Sequence, residues 1–154
     1  MRIVQMTRRA AVAAALLALA ACAQTPTNVT GAATPGSPQD FQTNVGDRVL
    51  FTVDSSAINP TAAGILDRQA AWLGRYPRYQ ITVEGHADER GTREYNIALS
   101  ARRANAARNY LASRGVNASR INTLSFGKER PVAPCENESC WSQNRRAVTV
   151  LRGN

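Results

Sequence analysis

The chain has 154 residues, 44% of them hydrophobic and 19% charged, with 19 basic residues against 11 acidic and a formal net charge of +8. That length holds one compact domain and a tether rather than two domains of ordinary size. The basic balance suits anionic lipid headgroups or an acidic cell-wall polymer, whereas nucleic acid is set aside, because the arginines are not gathered in one tract and no aromatics interleave with them as stacking platforms.

Arg2, Arg8 and Arg9 precede an uncharged run, Ala10 to Ala21, that is too short to span a bilayer as a stable helix and stops at Leu19-Ala20-Ala21-Cys22. Residues 1–21 therefore read as a signal peptide. Its three arginines inflate the net charge, and the chain from Cys22 onward is only moderately basic. A cysteine directly after the small residues is the arrangement of bacterial lipoprotein signals, so Cys22 is the expected lipidated first residue. Acyl chains contribute about 0.8 kcal/mol per buried methylene, and several on one cysteine anchor a protein without a spanning helix. Ala23, where an Asp would favour retention in the inner membrane, points to the outer membrane, with the domain facing the periplasm. Residues 22–42 are rich in Thr, Pro, Gly, Ala and Ser and are expected to form an unstructured tether, leaving 43–154 as the domain.

Arg48 to Asp54 alternates Val49, Phe51 and Val53 with polar neighbours, the period of a half-buried strand. Asn59, Pro60 and Thr61 supply helix-start chemistry for Ala62 to Arg75, where Ile65, Leu66, Gln69, Trp72 and Leu73 share one side. A second strand, Tyr79 to Glu84, leads into a loop, Gly85 to Thr92, bounded by glycines and placed where function concentrates. Glu94 to Arg114 reads as a long helix with Tyr95, Leu99, Ala106, Ala107, Tyr110 and Leu111 as its apolar stripe, ended by Gly115. Ile121 to Phe126 is a third strand, Gly127 to Trp141 a long loop, and Arg146 to Leu151 a fourth strand carrying Val148 and Val150. This order predicts an α/β fold with helices packed on a mixed sheet.

The loop and the long helix carry the chemistry. Asp88 is a carboxylate on the loop, and Arg102 and Arg103 are guanidiniums on the helix. Together they suit a zwitterion, the ammonium on the carboxylate and a ligand carboxylate on a guanidinium fork, with no nucleophile required. The competing reading makes Asp88 a turn cap and the arginines solvated helix positions. Glu84, His86 and Asp88 alternate as an ExHxD that a metal site or a hydrolase could use, but this is the chain's one histidine and the signal is weak. Cys135 and Cys140 are at most half a zinc site, and an oxidising compartment favours a disulfide between them.

GHADERG followed by EYNIALSARRAN resembles the peptidoglycan-binding loop and helix of the OmpA C-terminal-like domain family, and the likeness covers nearly all of Arg48 to Leu151. It implies a β-α-β-α-β-β sandwich whose helices pack on a mixed four-stranded sheet, with no cofactor and no catalysis. The family's motif falls on Asp88, Asn96, Leu99, Ser100, Arg103 and Ala104. The resemblance implies that Asp88 accepts the ammonium of meso-diaminopimelate in the stem peptide, that Arg103 binds its carboxylate, and that Arg102 points to solvent. Phe51 and Asp54 match a strand-end rim near the ligand, although Val53 stands where a second aromatic is usual and Arg93 where a proline is common. Asn96 either touches ligand or holds the loop by side-chain hydrogen bonds. Asn144-Arg145-Arg146 matches the lead into the last strand, with the arginines covering the sheet edge and pairing with acids near the loop. The likeness further implies membership of the Tol-Pal envelope system and the TolB β-propeller as a partner competing for an overlapping surface. The alternatives are an OmpA-like wall-binding lipoprotein outside that system and a periplasmic hydrolase built on Glu84, His86 and Asp88.

Overall fold

The computed structural model describes residues 33–153; the expected leader, Cys22 and the first part of the tether lie outside them. The folded unit begins earlier than composition suggests. Helix α1 (Pro38–Asp40), capped by the Ser37 hydroxyl, runs directly into a π-helical turn, Phe41–Val45. Phe41 is 1% exposed and packs 4.9 Å, centroid to centroid, from Trp72, while the Gly36 carbonyl accepts hydrogen bonds from Arg78 and Tyr79. The tether boundary expected after residue 42 is therefore wrong: one aromatic inserted beside Trp72 docks a segment whose small polar residues could not form a core alone.

The remaining elements are β1 (Arg48–Leu50), α2 (Pro60–Arg75), β2 (Gln80–Gly85), α3 (Arg93–Ser113), β3 (Ile121–Ser125), α4 (Glu138–Asn144) and β4 (Arg146–Arg152). The sheet order is β1-β4-β2-β3. Strands β2 and β3 are parallel, as a helical crossover through α3 requires, and β4 lies antiparallel to both β1 and β2. Helix α4 interrupts the long loop expected over Gly127 to Trp141; the Asn137 side chain caps it by accepting from the Ser139 amide.

Each long helix begins at a side-chain cap, Asn59 on the Ala62 amide for α2 and Thr92 on the Tyr95 amide for α3. Leu66, Trp72 and Leu73 of α2 and Leu99, Ala104, Ala107 and Leu111 of α3 are buried; most of them join Val49, Ile81, Val83, Ile121 and Ala147 of the sheet in one core. The register Val83↔Thr149 turns Ala147 and Thr149 inward and leaves Val148 and Val150 half-buried on the other face. Thr149 keeps its hydroxyl satisfied there by donating to Gln69 Oε1 at 2.8 Å. Gly85 decides how closely α3 approaches β2: a Cβ at that position would lie 1.8 Å from the Ser100 carbonyl oxygen.

Two sequence expectations bearing on the site change. Strand β1 stops at Leu50, because the chain turns at Thr52–Ser55 and Asp54 adopts φ 55°, a left-handed conformation that Asp tolerates better than most residues. The inward face of α3 is also more polar than the stripe predicted. Tyr95 is 41% exposed, while Asn96, Ser100 and Arg103 are buried with the aliphatic residues.

Candidate functional site

Three segments meet at the end of the sheet: the turn after β1, the loop after β2 and the first turns of α3. They enclose a cavity of about 310 Å³ lined by Val53, Asp54, Asp88, Arg90, Gly91, Tyr95, Asn96, Leu99 and Arg103. Asp54, Asp88, Asn96, Leu99 and Arg103, picked out in the sequence, thus share one cavity, and Arg102 is exposed. Phe51 is corrected. It is 3% exposed and lies 5.3 Å beneath the Arg103 guanidinium, supporting that side chain instead of forming the cavity rim. Val53, at the position of the missing second aromatic, does line the cavity and is 54% exposed.

Arg103 is fully buried and explains the turn after β1. Nε donates to the Ser55 carbonyl at 2.8 Å, Nη1 to His86 at 2.9 Å and Nη2 to Thr52 at 3.2 Å. A guanidinium has five N–H groups, so these three bonds leave one on each Nη uncommitted. Burial pushes its pKa down to about 10, with the nearby Asp88 carboxylate opposing the shift, and the group stays cationic at neutral pH.

Asp88 is 7% exposed. Burial alone would raise its carboxyl pKa, but hydrogen bonds from Arg90 and Arg145 outweigh that and hold it below the ordinary carboxylate value. Oδ1 accepts from the Arg90 amide at 3.2 Å and from Arg90 Nε at 3.1 Å; Oδ2 accepts from Arg90 Nη2 at 2.7 Å and from Arg145 Nη1 at 3.2 Å. Arg145, 4% exposed, also binds the Phe51 carbonyl and Glu138.

The loop is braced from three sides. Asn96 Nδ2 donates to the Arg90 carbonyl at 2.8 Å, and Lys128 Nζ donates to the Glu89 and Gly91 carbonyls. From α4, Trp141 Nε1 donates to Glu89, and the Trp141 ring lies 4.1 Å from the Arg90 guanidinium. Cys135 and Cys140 are joined in a disulfide with Cα atoms 5.6 Å apart, tying the preceding loop to α4.

His86, Glu84 and Asp88 do not assemble as a hydrolytic set. His86 Nε2 is 3.9 Å from Glu84 Oε2, beyond hydrogen-bond range, and the Asp88 carboxylate binds arginines instead. His86 is 3% exposed, stacks on Phe126 and is driven by burial to a pKa of about 4. Among the described residues, no three or more His, Cys, Asp or Glu side chains are grouped to hold a metal.

Arg90 and Tyr95 line the cavity and Trp141 packs on Arg90, although none of the three falls on a position to which the resemblance assigns a role. For Arg90 a signal exists: an Asp two residues before it is the spacing of an Asx turn, in which the Asp side chain accepts from that amide. Trp141 has none, because the sequence around α4 reads as loop.

The sheet order, the crossover helix and the loop-and-helix cavity define an OmpA-like α/β domain. A model of the OmpA family matches residues 50–146, and the chain belongs to that family. It is 58% identical over 163 residues to a peptidoglycan-associated lipoprotein of Mesorhizobium japonicum, covering 99% of this chain and 97% of that one. It is 68% identical over 123 residues to a peptidoglycan-associated lipoprotein of Rhizobium meliloti, covering 80% of this chain and 70% of the relative. The crystal structure of the peptidoglycan-associated lipoprotein of Burkholderia pseudomallei superposes with a TM-score of 0.70 at 36% identity, covering 75% of this chain and all of that one. The C-terminal domain of Helicobacter pylori MotB has the same fold, with a TM-score of 0.66 at 26% identity, covering 70% of this chain and 85% of that one.

Proposed function

We propose that this protein is a non-enzymatic envelope tether that reversibly grips the meso-diaminopimelate residue of the peptidoglycan stem peptide. The observation that carries the reading is the pairing, in one cavity, of the ionised Asp88 carboxylate with Arg103, whose guanidinium keeps one N–H group on each Nη uncommitted. Such a cavity takes an ammonium at one end and a carboxylate in a bidentate fork at the other. The names of the relatives that match over their whole length agree with a cell-wall ligand. Lipid at Cys22 would hold the chain in the outer membrane with the domain facing the periplasm, and TolB of the Tol-Pal system would compete for the same face.

Calorimetric titration of the full-length protein in detergent, with a stem peptide containing meso-diaminopimelate and with the same peptide containing lysine, tests the grip. Binding that needs the second carboxylate and falls at least tenfold in Asp88→Asn supports the reading. A wild-type protein that ignores both peptides removes it and makes TolB the ligand to test.

A further inference from the structure

The hydrogen bonds at Asp88 constrain any cation that docks there. A carboxylate offers about four acceptor positions, and here all four are taken, three by Arg90 and one by Arg145. A ligand ammonium therefore cannot bind Asp88 without replacing a donor. Arg145 is badly placed to leave: it is 4% exposed, and its guanidinium also satisfies the Phe51 carbonyl and Glu138, so withdrawing it would strand an interior oxygen. Arg90 is well placed. Its side chain is 40% exposed and stacks on Trp141, and the Glu138 and Glu89 carboxylates are near enough to favour its charge. Rotation about its stem would surrender the two side-chain bonds to Asp88 while the guanidinium stays on the indole face and its charge stays near those acids.

We propose that Arg90 is an internal competitor for Asp88, the group that a ligand ammonium displaces, so that the affinity of the site for cations is set by the strength of the Arg90–Asp88 pair. The inference rests on the zwitterion-binding reading above and adds an affinity threshold to it. A weakly held or poorly oriented cation does not displace a bidentate guanidinium; one whose carboxylate is simultaneously held by Arg103 does. The displacement cost falls on every cation alike, so a ligand needs the second charge held by Arg103 to overcome it.

The test is titration of the full-length protein in detergent with the meso-diaminopimelate stem peptide, comparing wild type, Arg90→Met and Arg90→Lys, with thermal melts confirming that each variant is folded. Methionine keeps much of the stem that packs on Trp141 and removes the competing charge. Arg90→Met is expected to bind about two- to fivefold more tightly, the gain from releasing one partly exposed bidentate ion pair, with Arg90→Lys in between. The lysine-containing peptide should gain by a similar factor, because its ammonium displaces the same group. Weaker binding by folded Arg90→Met would overturn the proposal and make Arg90 a ligand contact; unchanged binding would overturn it too, and leave Arg90 a loop brace. If neither wild type nor Arg90→Met binds, the zwitterion-binding reading itself falls, a result distinct from a wild type that binds and a variant that gains nothing.

Discussion

Arg103 Nη1 donates to the main-chain oxygen of His86 at 2.9 Å, tying α3 to the residue from which the binding loop departs. The same guanidinium holds the carbonyls of Thr52 and Ser55, so a residue proposed as a ligand contact is also a structural clamp. Arg103→Ala would strand these oxygens beside a cavity, and we expect a loss of about 3 kcal/mol or more in unfolding free energy at neutral pH. Guanidinium-induced unfolding measures it; a loss under about 1 kcal/mol would mean that water replaces the guanidinium without penalty. For this reason Asp88→Asn is the cleaner probe of binding.

The protein should lose stability in mild acid through His86. Burial lowers its pKa from the ordinary 6.5 to about 4, so the fold favours the neutral ring. Between those values the unfolded chain binds more protons than the folded one. The stabilising contribution is complete above pH 6.5 and drains as pH falls to about 4, where the accumulated loss is about 3 kcal/mol. Asp88, whose pKa is lowered from 3.8, contributes stability above that value and loses it at still lower pH, outside this window. Urea midpoints at a series of pH values should show the slope, and His86→Phe, which retains an aromatic stack on Phe126, should flatten it.

Gly85→Ala tests the contact between β2 and α3. Its Cβ would meet the Ser100 carbonyl oxygen at 1.8 Å, and backbone cannot give way as a flexible side chain can. We expect a destabilisation above about 3 kcal/mol, read as a large fall in melting temperature or loss of soluble protein. A melting temperature close to wild type would show that α3 shifts freely on the sheet.

Replacing both Cys135 and Cys140 by serine opens a loop with a sequence separation of 5. Chain entropy for so short a loop amounts to about 2 kcal/mol, a modest share of the stability of a domain this size. Thermal melts of the wild type should match the double variant with a reducing agent present and lie above it without one. Because α4 carries Trp141 and leads directly into Arg145, amide exchange in the loop after β2 should quicken in the same samples; unchanged exchange there would separate the disulfide from the site.

Much of this was legible in the chain itself. Asn59 begins the first long helix as a cap, the alternation around Ile81 and Val83 marks the central strand, and the glycine-bounded loop after it lines the cavity. These signals are local, set by hydrogen bonds and side-chain periods within a few residues. Two readings fail on distant contacts: Phe51 and Val53 alternate like a strand, but the buried Arg103 guanidinium holds the Thr52 and Ser55 carbonyls in a turn, and Tyr95 spaces like a core residue, but Asn96 and Ser100 face inward to bond the Arg90 carbonyl and the Gly127 amide.

The sequence by itself determined the order of the four strands and the two long helices and the presence of one acidic and one basic residue at motif spacing, because period, capping and glycine placement act over short distances. Only the tertiary structure decided that Phe41 anchors the segment before β1, that Arg103 divides its N–H groups between backbone and cavity, and that Arg90 and Arg145 share Asp88. The contacts of Arg103 with Ser55 and of Arg145 with Asp88 join residues 48 and 57 positions apart, so they exist only after the sheet has closed and the loops have met across its end.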